Sequence, residues 1–185
     1  MDSFFEEVAT KKNTGFQTFL IAVAWVVMIV SALYAVMLLQ SVFYVYSKTG
    51  FSLDLLLYVV QILMFGGIAV LLWLKKDTIK TEYEYTFTNG VLDFAQVFNN
   101  KKRKSLGTMN LKNIDACGLV TSGSFNRYIN MQGVKRSNWF VNRDAQLFYM
   151  YFNKDNKKRI IIIEPSENLI ASIRRSVQQG VYQVN

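Results

Sequence analysis

The chain contains no histidine and only one cysteine, and each shortage closes off chemistry. Without imidazole it lacks the commonest general base and the commonest metal ligand. A lone Cys117 rules out an internal disulfide and a cysteine-rich zinc site, and it suits a reducing compartment. Its place in an apolar stretch marks it as a core thiol rather than a nucleophile. No Walker-type or Rossmann glycine pattern occurs, and no low-complexity tract or internal repeat. Asp93, Asp115, Glu164 and Glu167 are scattered, without the paired spacing of acid–base work. This inventory predicts a protein that is not an enzyme and holds no cofactor or metal.

Charge is also missing from two long stretches. Phe16 to Leu39 is interrupted only by Gln17, Thr18 and Ser31, and Leu55 to Leu74 has one strongly polar residue, Gln61. As helices they would span roughly 36 Å and roughly 30 Å, against a hydrocarbon core about 30 Å thick. Neither carries the polar stripe of a soluble core helix. The first is also longer than the apolar region of a cleaved leader. Residues 15–75 are therefore expected to form two transmembrane helices, about 16–39 and 55–74, in the lipid bilayer. Without Asp, Glu, Lys or Arg deep in either run, an ion path lacks its usual marker.

Orientation follows from the flanking cations. Lys11 and Lys12 precede the first run and Lys75, Lys76 and Lys80 follow the second, whereas the connecting loop offers only Lys48. Basic residues stay inside, which predicts a multi-pass cell-membrane protein with both termini cytoplasmic. Trp73 suits one interface, and Phe43, Tyr44 and Tyr46 suit the other. Residues 1–14 read either as an amphipathic arm, a short interfacial helix with Ser3 and Glu6 as a capping box, or as a frayed polar tail. Ser31 and Ala35, with Gly66, Gly67 and Ala69, allow close helix approach, either between the two spans or between copies in a homo-oligomer.

The polar remainder is basic. Residues 75–185 carry 18 basic and 9 acidic side chains, while residues 1–74 carry 3 and 4, which together give the net +8. The remainder reads as strands: Tyr83 to Phe87, an Asn89-Gly90 hairpin turn, Val91 to Phe98, about Arg103 to Met109, and Ile114 to Thr121. Ser122 to Ser137 reads as a long loop, and Trp139 to Val141 as a short strand. A second hairpin joins Gln146–Phe152 to Arg159–Ile163. Leu169, Ile170, Ile173 and Val177 then follow helical spacing, with Pro165 in the first turn and Gly180 as the C-terminal cap. The expected fold is a membrane helical hairpin followed by a soluble, mainly β domain over residues 80–179. That domain has about seven antiparallel strands closed by one amphipathic helix.

The stretch from Tyr85-Thr86-Phe87-Thr88-Asn89-Gly90 to Leu111–Ile114, followed by a final helix, resembles the bacterial pleckstrin-homology-like (PH-like) domains. More narrowly, the chain resembles a family of Firmicute two-span membrane proteins. There an Asn-Gly turn precedes a basic turn, and an Ile-x-Glu-Pro segment opens the last helix; here these are Asn89-Gly90, Lys101–Lys104 and Ile163-Glu164-Pro165. The resemblance implies a PH-like barrel in a membrane setting. It implies no activity, so no functional residues are carried over.

The one constellation that suggests a function is basic: Lys101, Lys102, Arg103 and Lys104 on one turn, and Lys154, Lys157, Lys158 and Arg159 on another. Each cation near an anionic leaflet contributes about 1 kcal/mol. The two turns either keep a cytoplasmic domain soluble and reinforce its inside orientation, or they meet partners. The expected partners are anionic lipid head groups, such as phosphatidylglycerol or cardiolipin, or a protein docking on a scaffold module. The rival reading is a subunit of an oligomeric integral-membrane assembly, regulated by the β domain. Tyr128, Trp139 and Phe140 offer stacking surfaces, but no reader motif accompanies them, and nucleic acid is not an expected partner.

Overall fold

The two apolar runs form two long helices in the computed structural model, which describes residues 4–184. Helix α1 (Gly15–Thr49) has 35 residues and a length of about 52 Å. It continues past the expected end at Leu39 because no proline or glycine interrupts it before Gly50. There φ is 66°, and the Gly50 N–H bonds the Tyr46 carbonyl at 3.0 Å. Helix α2 (Leu53–Lys75) starts at Ser52, whose Oγ accepts from the Leu55 N–H at 3.3 Å. A single 3-10 turn, Lys76–Ile79, follows it.

Both helices are long and apolar enough to cross a membrane. The buried residues of α1 are Gln17, Ala24, Ser31 and Leu38, a seven-residue spacing that forms a seam as in a coiled coil. Tyr34 meets Phe65 of α2 edge to face at 4.7 Å, and Gln17 Nε2 donates to the Ile79 carbonyl at 3.0 Å. Ser31 is thus used in helix pairing. Gly66 and Gly67 are not, since a methyl group at either would meet nothing within 4 Å.

The chain divides into two units, one running from Asn13 to Lys80 and the other joining residues up to Lys12 with those from Thr81 onward. The expected interfacial helix is instead a strand, β1 (Phe4–Ala9), and the Ser3 cap assigned to that helix lies outside the described residues. β1 pairs antiparallel with β2 (Thr81–Thr88), from Phe4 opposite Thr88 to Ala9 opposite Tyr83. The two helices are therefore an insertion, in sequence, between neighbouring strands.

β2 turns through Asn89 and Gly90, at φ 49° and 83°, into β3 (Val91–Phe98). Asn99 and Asn100 at φ 50° and 54° make the next turn, into β4 (Lys102–Asn110). These four strands form one sheet in the order β1-β2-β3-β4, with a register shift at Phe94/Ala95.

The second sheet has the order β6-β8-β7-β5-β9. Its strands are β5 (Ala116–Leu119), β6 (Lys135–Trp139), β7 (Phe148–Lys154), β8 (Lys157–Ile163) and β9 (Tyr182–Gln183). β6 lies parallel to β8, and β9 parallel to β5. The described residues thus hold nine strands in two sheets of partly parallel pairing, and not about seven antiparallel strands closed into a barrel. The first sheet has β1 and β4 as its edges, and the second has β6 and β9. The Ser122–Ser137 stretch is also more ordered than a loop, holding helix α3 (Gly123–Ile129) and the start of β6.

One core lies between the sheets, where Tyr85, Phe87, Leu92 and Phe94 meet Phe148, Met150, Ile161 and Ile163. Helix α4 (Glu167–Ser176) closes it with Leu169 and Ile173. Ser166 caps α4, so Pro165 precedes the cap instead of occupying the first turn. The helix ends at Val177, and Gly180, at φ 86°, serves the turn leading to β9. A smaller cluster on the other face of the second sheet packs Tyr149, Tyr151, Ile160 and Ile162 under Phe125 of α3.

Candidate functional site

The two basic turns lie on different sheets. Lys101 to Lys104 occupy the β3–β4 corner, all four exposed, and Arg103 pairs with Glu84 at 2.7 Å. Lys101, Lys102 and Lys104 make no ion pair among the described residues. Strand register places Lys102 and Lys104 opposite Phe98 and Gln96, on the opposite face of the sheet from Arg103.

The second turn splits by the same parity. Asp155 and Asn156 form the corner, at φ 54° and 56°. Lys158 faces Asn153 on the α3 side, while Arg159 faces Phe152 on the side of the inter-sheet core. Lys154, Lys157 and Lys158 are exposed; Arg159 is half-buried. Of the eight predicted cations, the structure brings Lys154 and Arg159 together at one cleft, whose lining includes none of Lys101 to Lys104.

Sequence reasoning missed a polar hub at the end of β8. The Glu164 carboxylate accepts from the Val141 N–H at 3.1 Å, the Asn142 N–H at 2.9 Å and Asn142 Nδ2 at 2.6 Å. Asn142, only 7% exposed, also donates to the Thr10 carbonyl at 2.8 Å and accepts from the Lys12 N–H at 3.1 Å. Nearby, the buried Tyr85 hydroxyl donates to the Trp139 carbonyl and accepts from the Glu164 N–H. Glu7 of β1 accepts from the Ser166 N–H at 2.9 Å, and burial raises its pKa above the ordinary value. The hub fastens the chain just before α1 to the β unit. Its only sequence trace is the Glu164-Pro165 pair.

Reactive chemistry is sparse. Cys117 is fully buried, and burial pushes its thiol up to about 12. Among the described residues no cluster of three or more His, Cys, Asp or Glu side chains could hold a metal ion. In the helical unit, Lys76 Nζ lies 5.5 Å and 5.2 Å from the ring centroids of Trp25 and Trp73.

The β unit thus has two sheets and a closing C-terminal helix, and the chain adds two membrane-length helices. The family model described as "Bacterial PH-like domain (DUF6106)" matches residues 1–183. The chain belongs to this bacterial PH-like family. The match takes in the helical insertion as well as the β unit, so in this PH-like protein the helices are part of the family's own extent. No curated protein and no solved structure matches the chain.

Proposed function

We propose that this PH-like protein is a non-enzymatic binding module held on the cytoplasmic face of the cell membrane. The two helices span the bilayer, and both termini lie inside. The carrying observation is the set of exposed, uncompensated cations at the two turns, on a β unit tied by both β1 and β2 to membrane-length helices. Anionic head groups are the proposed partner of these turns. The three free cations of the first turn contribute about 3 kcal/mol near an anionic leaflet, an attraction that salt weakens. Arg103, already compensated by Glu84, adds little.

The test is amine acetylation of the full chain in nanodiscs, read residue by residue by mass spectrometry. Lys101, Lys102 and Lys104 should be protected in discs rich in phosphatidylglycerol, and the protection should fade toward 1 M salt. Equal labelling in zwitterionic and anionic discs at every salt concentration would leave only protein docking as the module's role.

The second reading, an oligomeric membrane assembly, is favoured by one observation: the two helices do not use Gly66 and Gly67 against each other. Gly67→Leu should then leave the chain folded but reduce its oligomer size in mild detergent. A monomer in both forms removes this reading.

A further inference from the structure

A cleft of about 270 Å³ opens between β4 and the strands β6, β8 and β7, where the two sheets do not close on each other. Its apolar wall includes Phe94, Leu106, Trp139, Phe152 and Ile161. Its charged groups are Arg159 and Lys154, and among the described residues no carboxylate lines it. Parity explains how a cation reaches this face: Ile163, Ile161 and Arg159 alternate along β8, so the residue after the two core isoleucines points the same way. Arg159 Nε is buried and has no hydrogen-bond partner. An N–H of a charged group, withdrawn from water and left unpartnered, costs more than a neutral one. A planar guanidinium is matched best by the paired oxygens of a carboxylate or phosphate.

We propose that this cleft is a binding site for a small amphiphilic anion, one carboxylate or phosphate monoester on an apolar body. The anionic group pairs with Arg159, assisted by Lys154, and the apolar body lies against Trp139 and Phe152. The volume falls just below the range of sites for drug-sized ligands, which starts at about 300 Å³, and so limits the ligand to a small one. The site is separate from the surface contact proposed for Lys101 to Lys104 and stands without it.

Trp139 provides the reporter. In the full chain in zwitterionic nanodiscs, Trp25→Phe and Trp73→Phe leave Trp139 as the single indole. The probes are 4-phenylbutyrate, phenyl phosphate, inorganic phosphate and the uncharged 4-phenylbutanol. The expected result is a saturable change in Trp139 fluorescence with at least one of the two aromatic anions, at least tenfold tighter than with the alcohol or with inorganic phosphate. Arg159→Gln should abolish it, and Arg159→Lys should weaken it about tenfold.

Because Arg159→Gln could disturb folding, Ser137→Phe, which fills the cleft from β6, serves as a second variant. It should remove binding while the thermal transition is retained. Adding phosphatidic acid to the discs separates the sources. A Trp139 change from the lipid alone, competing with the soluble probe, identifies a lipid head group as the anion; its absence identifies a soluble one. Equal affinity for the alcohol, undiminished binding in Arg159→Gln, or no saturation by either aromatic anion up to about 10 mM overturns the proposal.

Discussion

A fragment that begins at Lys80 keeps eight of the nine strands but loses β1, and the cost of that loss can be worked out. β1 pairs with β2 over six residues, buries Ala9 and packs Phe5 on the inter-sheet core. The segment after it satisfies both the amide and the carbonyl of Asn142, through Thr10 and Lys12. Asn142 Oδ1, left unpaired, costs about 1–3 kcal/mol, the Thr10 bond of Nδ2, which keeps Glu164, about 0.5–1.5 kcal/mol, and the lost apolar packing about 1.5–3 kcal/mol. Water reaching Asn142 in the truncated chain favours the lower half of the summed range, about 4 kcal/mol, a large share of the roughly 5–15 kcal/mol that stabilises a domain.

The control restores the strand. Residues 4–12 are joined to 81–184 by a four-residue Gly/Ser linker in place of the helices, which is feasible because Ala9 and Tyr83 are opposite each other. With a urea slope of about 2 kcal/mol per molar, the fragment should unfold about 2 M earlier than the linked form. Circular dichroism and Trp139 fluorescence would both report it. Midpoints within about 0.3 M of each other would refute the view that β1 is an integral strand of the β unit.

Two further outcomes follow from the polar hub. Glu164→Gln replaces a carboxylate that accepts three N–H bonds by an amide that presents a donor to some of them, so stability should fall by about 2 kcal/mol. The β-unit transition should then drop by roughly 10 °C, and a change under 2 °C would contradict the assignment. Glu7 predicts a pH dependence. Its folded pKa is raised by burial, so the folded state holds this proton more tightly than the unfolded chain does. Glu7's contribution is fully present below the ordinary glutamate range and is lost as pH rises through the raised value. The stability of wild type relative to Glu7→Gln should therefore fall from acid to neutral pH, and a flat or rising difference in paired denaturation curves would reverse the argument.

How far the sequence reveals these features depends on how local their causes are. The helices follow from uninterrupted apolar runs, and the hairpins from Asn89-Gly90 and the Asp155-Asn156 corner, where positive φ is needed within two residues. α4 follows from its apolar spacing. β1 escapes because its inward side is Phe5, Glu7 and Ala9 while Phe4 and Val8 point outward, which scrambles the alternation and leaves a helical spacing just as visible. α3 has seven residues, too few for a periodic signal. The Asn142 hub escapes because its partners at Thr10 and Lys12 lie about 130 positions away. The four isoleucines of β8 conceal which face Arg159 takes. Barrel closure failed as an expectation because strand content does not determine which edges pair.

The orientation of the β unit tests the account most directly, since the proposed contact of the basic turns with the inner leaflet requires it to face the cytoplasm. Cys117 is fully buried with a strongly raised pKa, so it should be silent to a membrane-impermeant maleimide. A single cysteine can therefore be placed at Phe51, which is 89% exposed in the turn between the helices, or at Lys101. In intact cells the account predicts labelling of Phe51→Cys from outside and labelling of Lys101→Cys only after the membrane is permeabilised. Labelling of Lys101→Cys in intact cells, with Phe51→Cys protected, would contradict it.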